Sequence, residues 1–183
     1  MYTVMLSTMV NGVLSLIPNV DVLSENQAVY AYMTCNTLKD FCTTGSAIVS
    51  TLPTGKGYPS TEYLDFLSSA ISELYPSDLF YDTEEGQQVN EDKLGNPEDS
   101  QNAYKLYRVI KNNIVSLEKY IRARDDDWIL SNFDAIFNGL PDTFKKTLEG
   151  FKYLASSKDV SSEHKDIIWD YIEILLDLSL EDA

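Results

Sequence analysis

The stretch NPEDSQNAYKLYRVIKNNIVSLEKYIRAR, residues 96–124, decides how this chain is read. Asn96 suits a helix N-cap, and Pro97 lacks the N–H that a first helical residue would leave unpaired. Glu98 and Asp99 then favour the positive end of the helix dipole. Ala103, Tyr107, Ile110, Ile114, Leu117 and Ile121 recur at spacings of four and three, which makes one apolar stripe. A helix of roughly 28 residues would be about 42 Å long. Lys105, Arg108, Lys111, Lys119 and Arg122 fall together on a second face. The spacing therefore predicts a long helix with one apolar and one basic face, a statement about packing and partners rather than chemistry.

Working outward, the whole chain has 183 residues, enough for one domain or two small ones. Its formal net charge is −15. Such a field disfavours nucleic acid and anionic membrane surfaces and favours basic partners. Residues 1–75 hold six acids and two bases, whereas residues 76–183 hold 23 acids and 12 bases. Cys35 and Cys42 lie seven positions apart. On one helix their Cα atoms would be about 10 Å apart, beyond the ~7 Å that a disulfide can span. They read as buried, reduced thiols. There is no glycosylation sequon, no basic n-region with a signal cleavage site, and no uncharged apolar run of membrane-spanning length. An intracellular soluble protein is expected.

Residues 2–17 read as an amphipathic helix whose polar side carries no charge, although Asn11-Gly12 is also a hairpin signal. Ser24-Glu25-Asn26-Gln27 is a capping-box pattern, and a second helix should run to about Thr44 and stop at Gly45. Its apolar face is Ala28, Tyr32, Cys35, Leu38 and Cys42. Residues 46–52 are open between a short strand and a helical continuation. Gly55-Lys56 fails as a phosphate-binding loop, because Gly57 rather than Ser or Thr follows the lysine and Ser50 stands where a glycine is needed. Ser60 should cap a third helix through about Leu74, with Tyr63, Leu67, Ala70, Ile71 and Leu74 inward. Residues 82–96 read as an acidic loop or linker.

Beyond the central stretch, Asp125-Asp126-Asp127 reads as the capped start of a short helix containing Trp128, Ile129, Phe133 and Ile136 rather than as a metal site. Pro141-Asp142 opens another helix, with Phe144, Leu148, Phe151 and Leu154 inward. Ser161 should cap the last, with Ile167, Ile168, Tyr171, Ile172, Leu175 and Leu178 as its apolar set. Asp166, Asp170, Glu173 and Asp177 form an acidic stripe along it. The stripe complements the basic one, so the two either meet within the bundle or dock a partner. The one histidine, His164, has no partner for a triad or a zinc site, and no cofactor or metal set is expected. Twelve tyrosines fit either a core rim or a contact surface.

The segment Ser161-Ser-Glu-His-Lys-Asp-Ile-Ile-Trp-Asp-Tyr-Ile-Glu-Ile-Leu-Leu-Asp-Leu resembles a C-terminal segment of small helical proteins of large nucleocytoplasmic DNA viruses. Glu163, Lys165, Ile168, Trp169, Tyr171, Ile172 and Leu175 occupy the matching places, with His164 where asparagine is usual. The resemblance covers about a tenth of the chain and concerns packing. It implies a helical viral protein of the infected host cell or the virion, and carries over no functional residue.

The expected fold is all-α: a helical bundle on one long central helix, of about seven helices, with room for one short strand. An N-terminal helical part (1–81), an acidic linker (82–96) and a C-terminal bundle (97–183) are expected. The leading function is a non-enzymatic protein–protein interaction or structural protein, such as a virion or assembly component, with a protein partner or a homo-oligomer and no direct nucleic-acid contact. The alternatives are an acidic decoy for a basic nucleic-acid-binding protein and an unrecognised enzyme. Candidate partner-binding residues are Lys105, Arg108, Lys111, Lys119, Arg122, Asp166, Asp170, Glu173 and Asp177.

Overall fold

A computed structural model describes residues 14–15, 17–20, 23–53, 58–93, 97–136, 150 and 152–181. Within these the fold is all-α, with one small hairpin. The elements are α1 (Glu25–Val49), α2 (Thr61–Ser72), β1 (Phe80–Thr83), β2 (Gly86–Val89), a 3₁₀ turn (Glu91–Lys93), α3 (Pro97–Ile114), a second 3₁₀ turn (Val115–Leu117), α4 (Glu118–Arg122), α5 (Asp126–Ile136) and α6 (Ser162–Glu181). The central helix of the bundle is α1, which packs on α2, α3 and α6. Residues 2–13, the capping Asn96, the loop at 54–57 and most of the helix expected after Pro141 lie outside the described residues.

Local chemistry starts the helices where the sequence reading placed them. The Ser24 hydroxyl accepts from the Gln27 N–H at 3.2 Å, and the Gln27 side chain accepts from the Ser24 N–H at 3.0 Å, a reciprocal capping box. Ser60 caps α2 through the Tyr63 N–H at 3.0 Å. Ser161 caps α6 through the His164 N–H at 3.1 Å. Each cap satisfies a backbone donor that the helix itself leaves free.

The helix α1 does not stop at Gly45. It continues to Val49, so residues 46–49 are helical rather than strand. Gly45 is buried, and a Cβ built there would lie 3.7 Å from Leu64 Cδ1 of α2. A glycine inside a helix is unfavourable by about 1 kcal/mol against alanine, but packing of α1 on α2 overrides that local preference. Nor is 97–124 one unbroken helix: the 3₁₀ turn Val115–Leu117 separates α3 from α4. Asparagines and β-branched residues around that point are poor helix formers. The Asn113 amide also donates to the Val109 carbonyl at 2.8 Å, competing with the backbone. The apolar stripe survives the break, with Ala103, Tyr107, Ile114 and Ile121 all buried.

Part of the segment expected to be an acidic loop is instead an antiparallel hairpin. Phe80 pairs with Val89, Tyr81 with Gln88, Asp82 with Gln87 and Thr83 with Gly86. Phe80 and Val89 pack against the core, and the turn passes through Glu84 and Glu85 to Gly86 at φ 127°, a conformation that favours glycine. Two apolar clusters fill the bundle. The first joins Tyr32, Cys35 and Cys42 of α1 to Ile71, Leu79, Ala103 and Tyr107. The second joins Ile114 and Ile121 to Trp169, Leu175 and Leu176 of α6. Leu38 packs against both.

Two inward faces match expectation in part: Ile71 and Leu74, and on α6 Leu175 and Leu178, are buried as read. On α2 the buried residues are Leu64, Ser68 and Ile71, with Tyr63 and Ala70 only partly covered. On α6 they are Trp169, Leu175, Leu176, Leu178 and Ser179, while Ile167, Ile168, Tyr171 and Ile172 are half-buried.

Candidate interaction surface

The charge stripes are best followed from the turn between α4 and α5. Asp125 accepts from the Trp128 N–H at 3.0 Å and caps α5, the role expected of the aspartate triplet. Asp126 accepts from Trp169 Nε1 at 2.9 Å, which ties α5 to α6. Arg124, just before the cap, holds φ 49°, a left-handed conformation that disfavours side chains with a Cβ.

That conformation accompanies a fan of ion pairs to α6. Arg124 Nη2 lies 2.6 Å from Asp170 Oδ1, Nε 3.2 Å from Glu173 Oε1, and Nη1 3.5 Å from Asp166 Oδ1. Arg122 pairs with Asp177. The three acids at i, i+4 and i+7 project from one face of α6, which lets one planar guanidinium reach all of them. Hydrogen bonds to Glu173 and then Asp170 raise the Arg124 pKa, and the bond to Asp177 raises that of Arg122. Every member of the expected acidic stripe thus meets an arginine of the same chain. Arg124 lies outside the basic stripe and carries no role in the sequence pattern beyond ending the central stretch. The signal that could have found it was the spacing of Asp166, Asp170 and Glu173, which calls for one opposing cation.

The basic stripe divides. Arg122 meets α6. Lys111 Nζ sits 5.7 Å from the centroid of the Tyr107 ring, and Lys119 Nζ sits 5.8 Å from that of Tyr120. Lys105 and Arg108 are partly buried on α3 and have no ion partner among the described residues.

The tyrosines divide too. Tyr32 and Tyr107 are fully buried, whereas Tyr81 and Tyr153 are exposed. Tyr75 packs edge-on against Tyr32 and Phe80, and its hydroxyl donates to Asn36 Oδ1 at 3.3 Å. Burial, with Cys35 and Asp40 nearby, pushes its pKa up to about 12. Cys35 and Cys42 are free, buried thiols; burial raises both, Cys42 to about 12. Thiols so shifted are poor nucleophiles at neutral pH.

Among the described residues no cluster of three or more His, Cys, Asp or Glu is placed to hold a metal ion. A depression of about 320 Å³ is lined by Thr61, Glu62, Asp65, Phe66 and Ser69, all from α2. Among the described residues no helix is long and apolar enough to cross a membrane. No protein-family model, curated protein or solved structure matches the chain.

Proposed function

We propose that this is a non-enzymatic interaction protein of the structural or assembly kind, which meets an acidic surface through Lys105 and Arg108 of α3. The observation that carries the reading is that these two cations lack ion partners among the described residues, in a chain of net charge −15. The α6 acids that a decoy of nucleic acid would present are engaged by Arg122 and Arg124, which favours the interaction reading over the decoy. The acidic surface belongs to a second copy of this chain or to another protein of the same assembly. The C-terminal resemblance supports an infected cell or a virion as the setting.

Light scattering on the purified chain at low and high salt tests this. The expected result is a mass above the monomer that falls with salt and is lost in K105E/R108E. A monomer under all conditions removes the self-assembly form of the proposal. An oligomer indifferent to both salt and the double substitution removes the role of these residues.

A further inference from the structure

The hairpin carries an edge that no strand among the described residues pairs, and its chemistry is defined. The Asn90 N–H donates to the Leu79 carbonyl, so residues 79 and 90 face each other as a hydrogen-bonded pair. Along an antiparallel ladder such pairs alternate with non-bonded ones. The registers Tyr81 with Gln88 and Thr83 with Gly86 are therefore hydrogen-bonded, and Phe80 with Val89 and Asp82 with Gln87 are not. The backbone N–H and C=O groups of Gln87 and Val89 consequently point away from β1, at the outer edge of β2. The sheet has two strands, with no third beside β2 among the described residues. Gly86, Gln87 and Gln88 are exposed.

Exposed edges are usually guarded by lysine, proline or a bulge, yet Gly86-Gln87-Gln88-Val89 has neither a charge nor a proline. What guards the edge stands at its ends. Glu84 and Glu85 precede it, Glu91 and Asp92 follow it, and all four are exposed. Asn36 Nδ2 holds the Gln87 side chain at 2.6 Å, and Lys93 pairs with Asp78 at 3.0 Å, so the strand is anchored at its face and its base. The result is a short uncharged template between two acidic ends, roughly 20 Å apart along extended chain.

We propose that β2 takes up, by strand addition, an extended segment of a partner protein that carries basic residues on both sides of a short uncharged run. Main-chain hydrogen bonds to Gln87 and Val89 supply the pairing, and the acidic ends select the flanks. A second copy of this chain fits poorly in the register centred on Gln88. Twofold antiparallel pairing through Gln88 would set Glu85 against Glu91 of the copy, acid opposite acid. The field of the four carboxylates excludes nucleic acid in the same way. This proposal rests on the interaction reading above but on a different surface, so each can fail alone.

The test uses the full chain, labelled for NMR, and the synthetic peptide Lys-Lys-Val-Thr-Val-Thr-Val-Lys-Lys. Controls are the same peptide with glutamates at both ends and one N-methylated at adjacent central residues. The lysine-flanked peptide should slow solvent exchange of the Gln87 and Val89 amides, and neither control should. In E85K/E91K, binding of the lysine-flanked peptide should fall roughly tenfold, and the glutamate-flanked one should gain, given one exposed ion pair at each end. K105E/R108E should leave peptide binding unchanged. Equal binding by the N-methylated peptide would overturn strand addition in favour of charge attraction alone. Binding centred on α3, or none at millimolar peptide, would overturn the site.

Discussion

The two ends of the bundle are held by different kinds of interaction. Where α1 and α2 meet α3 and the hairpin, the contacts are apolar and aromatic: Tyr32, Tyr107 and Leu79 are fully buried, with the two thiols between them. Where α4 and α5 meet α6, a smaller apolar cluster is overlaid by charge, with Arg122 and Arg124 facing four carboxylates and Asp126 holding Trp169. Buried apolar area contributes free energy in proportion to its size and is not screened by salt as charge is. Exposed ion pairs contribute little energy but fix orientation, and salt weakens them. The first end should therefore supply most of the stability, and the second should set how α6 lies on the bundle.

The largest expected effect probes the apolar end. Leu79→Ala should lower the unfolding free energy by about 2–5 kcal/mol, the range for emptying a buried leucine site. Urea denaturation measures it. A loss well under 1 kcal/mol would mean that the base of the hairpin contributes little to the first cluster, and the contrast between the two ends would collapse.

The next effect is set by pH and again belongs to the apolar end. Cys42 ionises at about 12 in the folded chain, against an ordinary value of 9.0. Below pH 9 the thiol is protonated in both states. Above it the unfolded thiol loses its proton and the folded one does not, so stability falls as pH rises towards the folded value, by up to about 1.4 kcal/mol per pH unit for each such group. Cys42→Ala should flatten that alkaline slope. Urea midpoints read between pH 8 and 11 check it, and an unchanged slope would remove the thiol as the cause.

Local signals in the sequence were legible and distant ones were not. Ser24, Ser60, Asp125 and Ser161 cap as read, because a cap is set by residues three positions apart. The stripe from Ala103 to Ile121 was also legible, since a period survives a 3₁₀ turn. The inward faces of α2 and α6 were legible only in part: Ile71, Leu74, Leu175 and Leu178 are buried as read, but Leu64, Trp169 and Leu176 join them because the neighbouring helices select the buried side. The hairpin was masked by the acids around its turn, and Arg124 by the fact that its partners lie more than 40 residues away. Gly45 shows the same limit most directly: its local preference ends a helix, and contact with α2 continues it. With 3.7 Å of room for a Cβ, Gly45→Ala should raise stability by about 0.5–1 kcal/mol, readable as a higher urea midpoint. A loss instead would show that α1 and α2 need the closer approach that only glycine permits.

The smallest effect separates charge from backbone at the ionic end. Arg124→Ala removes the pairs to Asp166, Asp170 and Glu173 but leaves a Cβ on a residue at φ 49°. Arg124→Gly removes the same pairs and relieves the conformation as well. At low salt both variants should unfold earlier than the parent, with the glycine form the less affected. As salt rises from 0.1 M to 1 M, the Debye length shrinks from about 10 Å to about 3 Å. The deficit of Arg124→Ala against the parent should then narrow, while the gap between the alanine and glycine forms, which is a backbone effect, should hold constant. If the alanine deficit ignores salt, the Arg124 fan acts through packing of its side chain on α6, and the two ends of the bundle differ in degree rather than in kind.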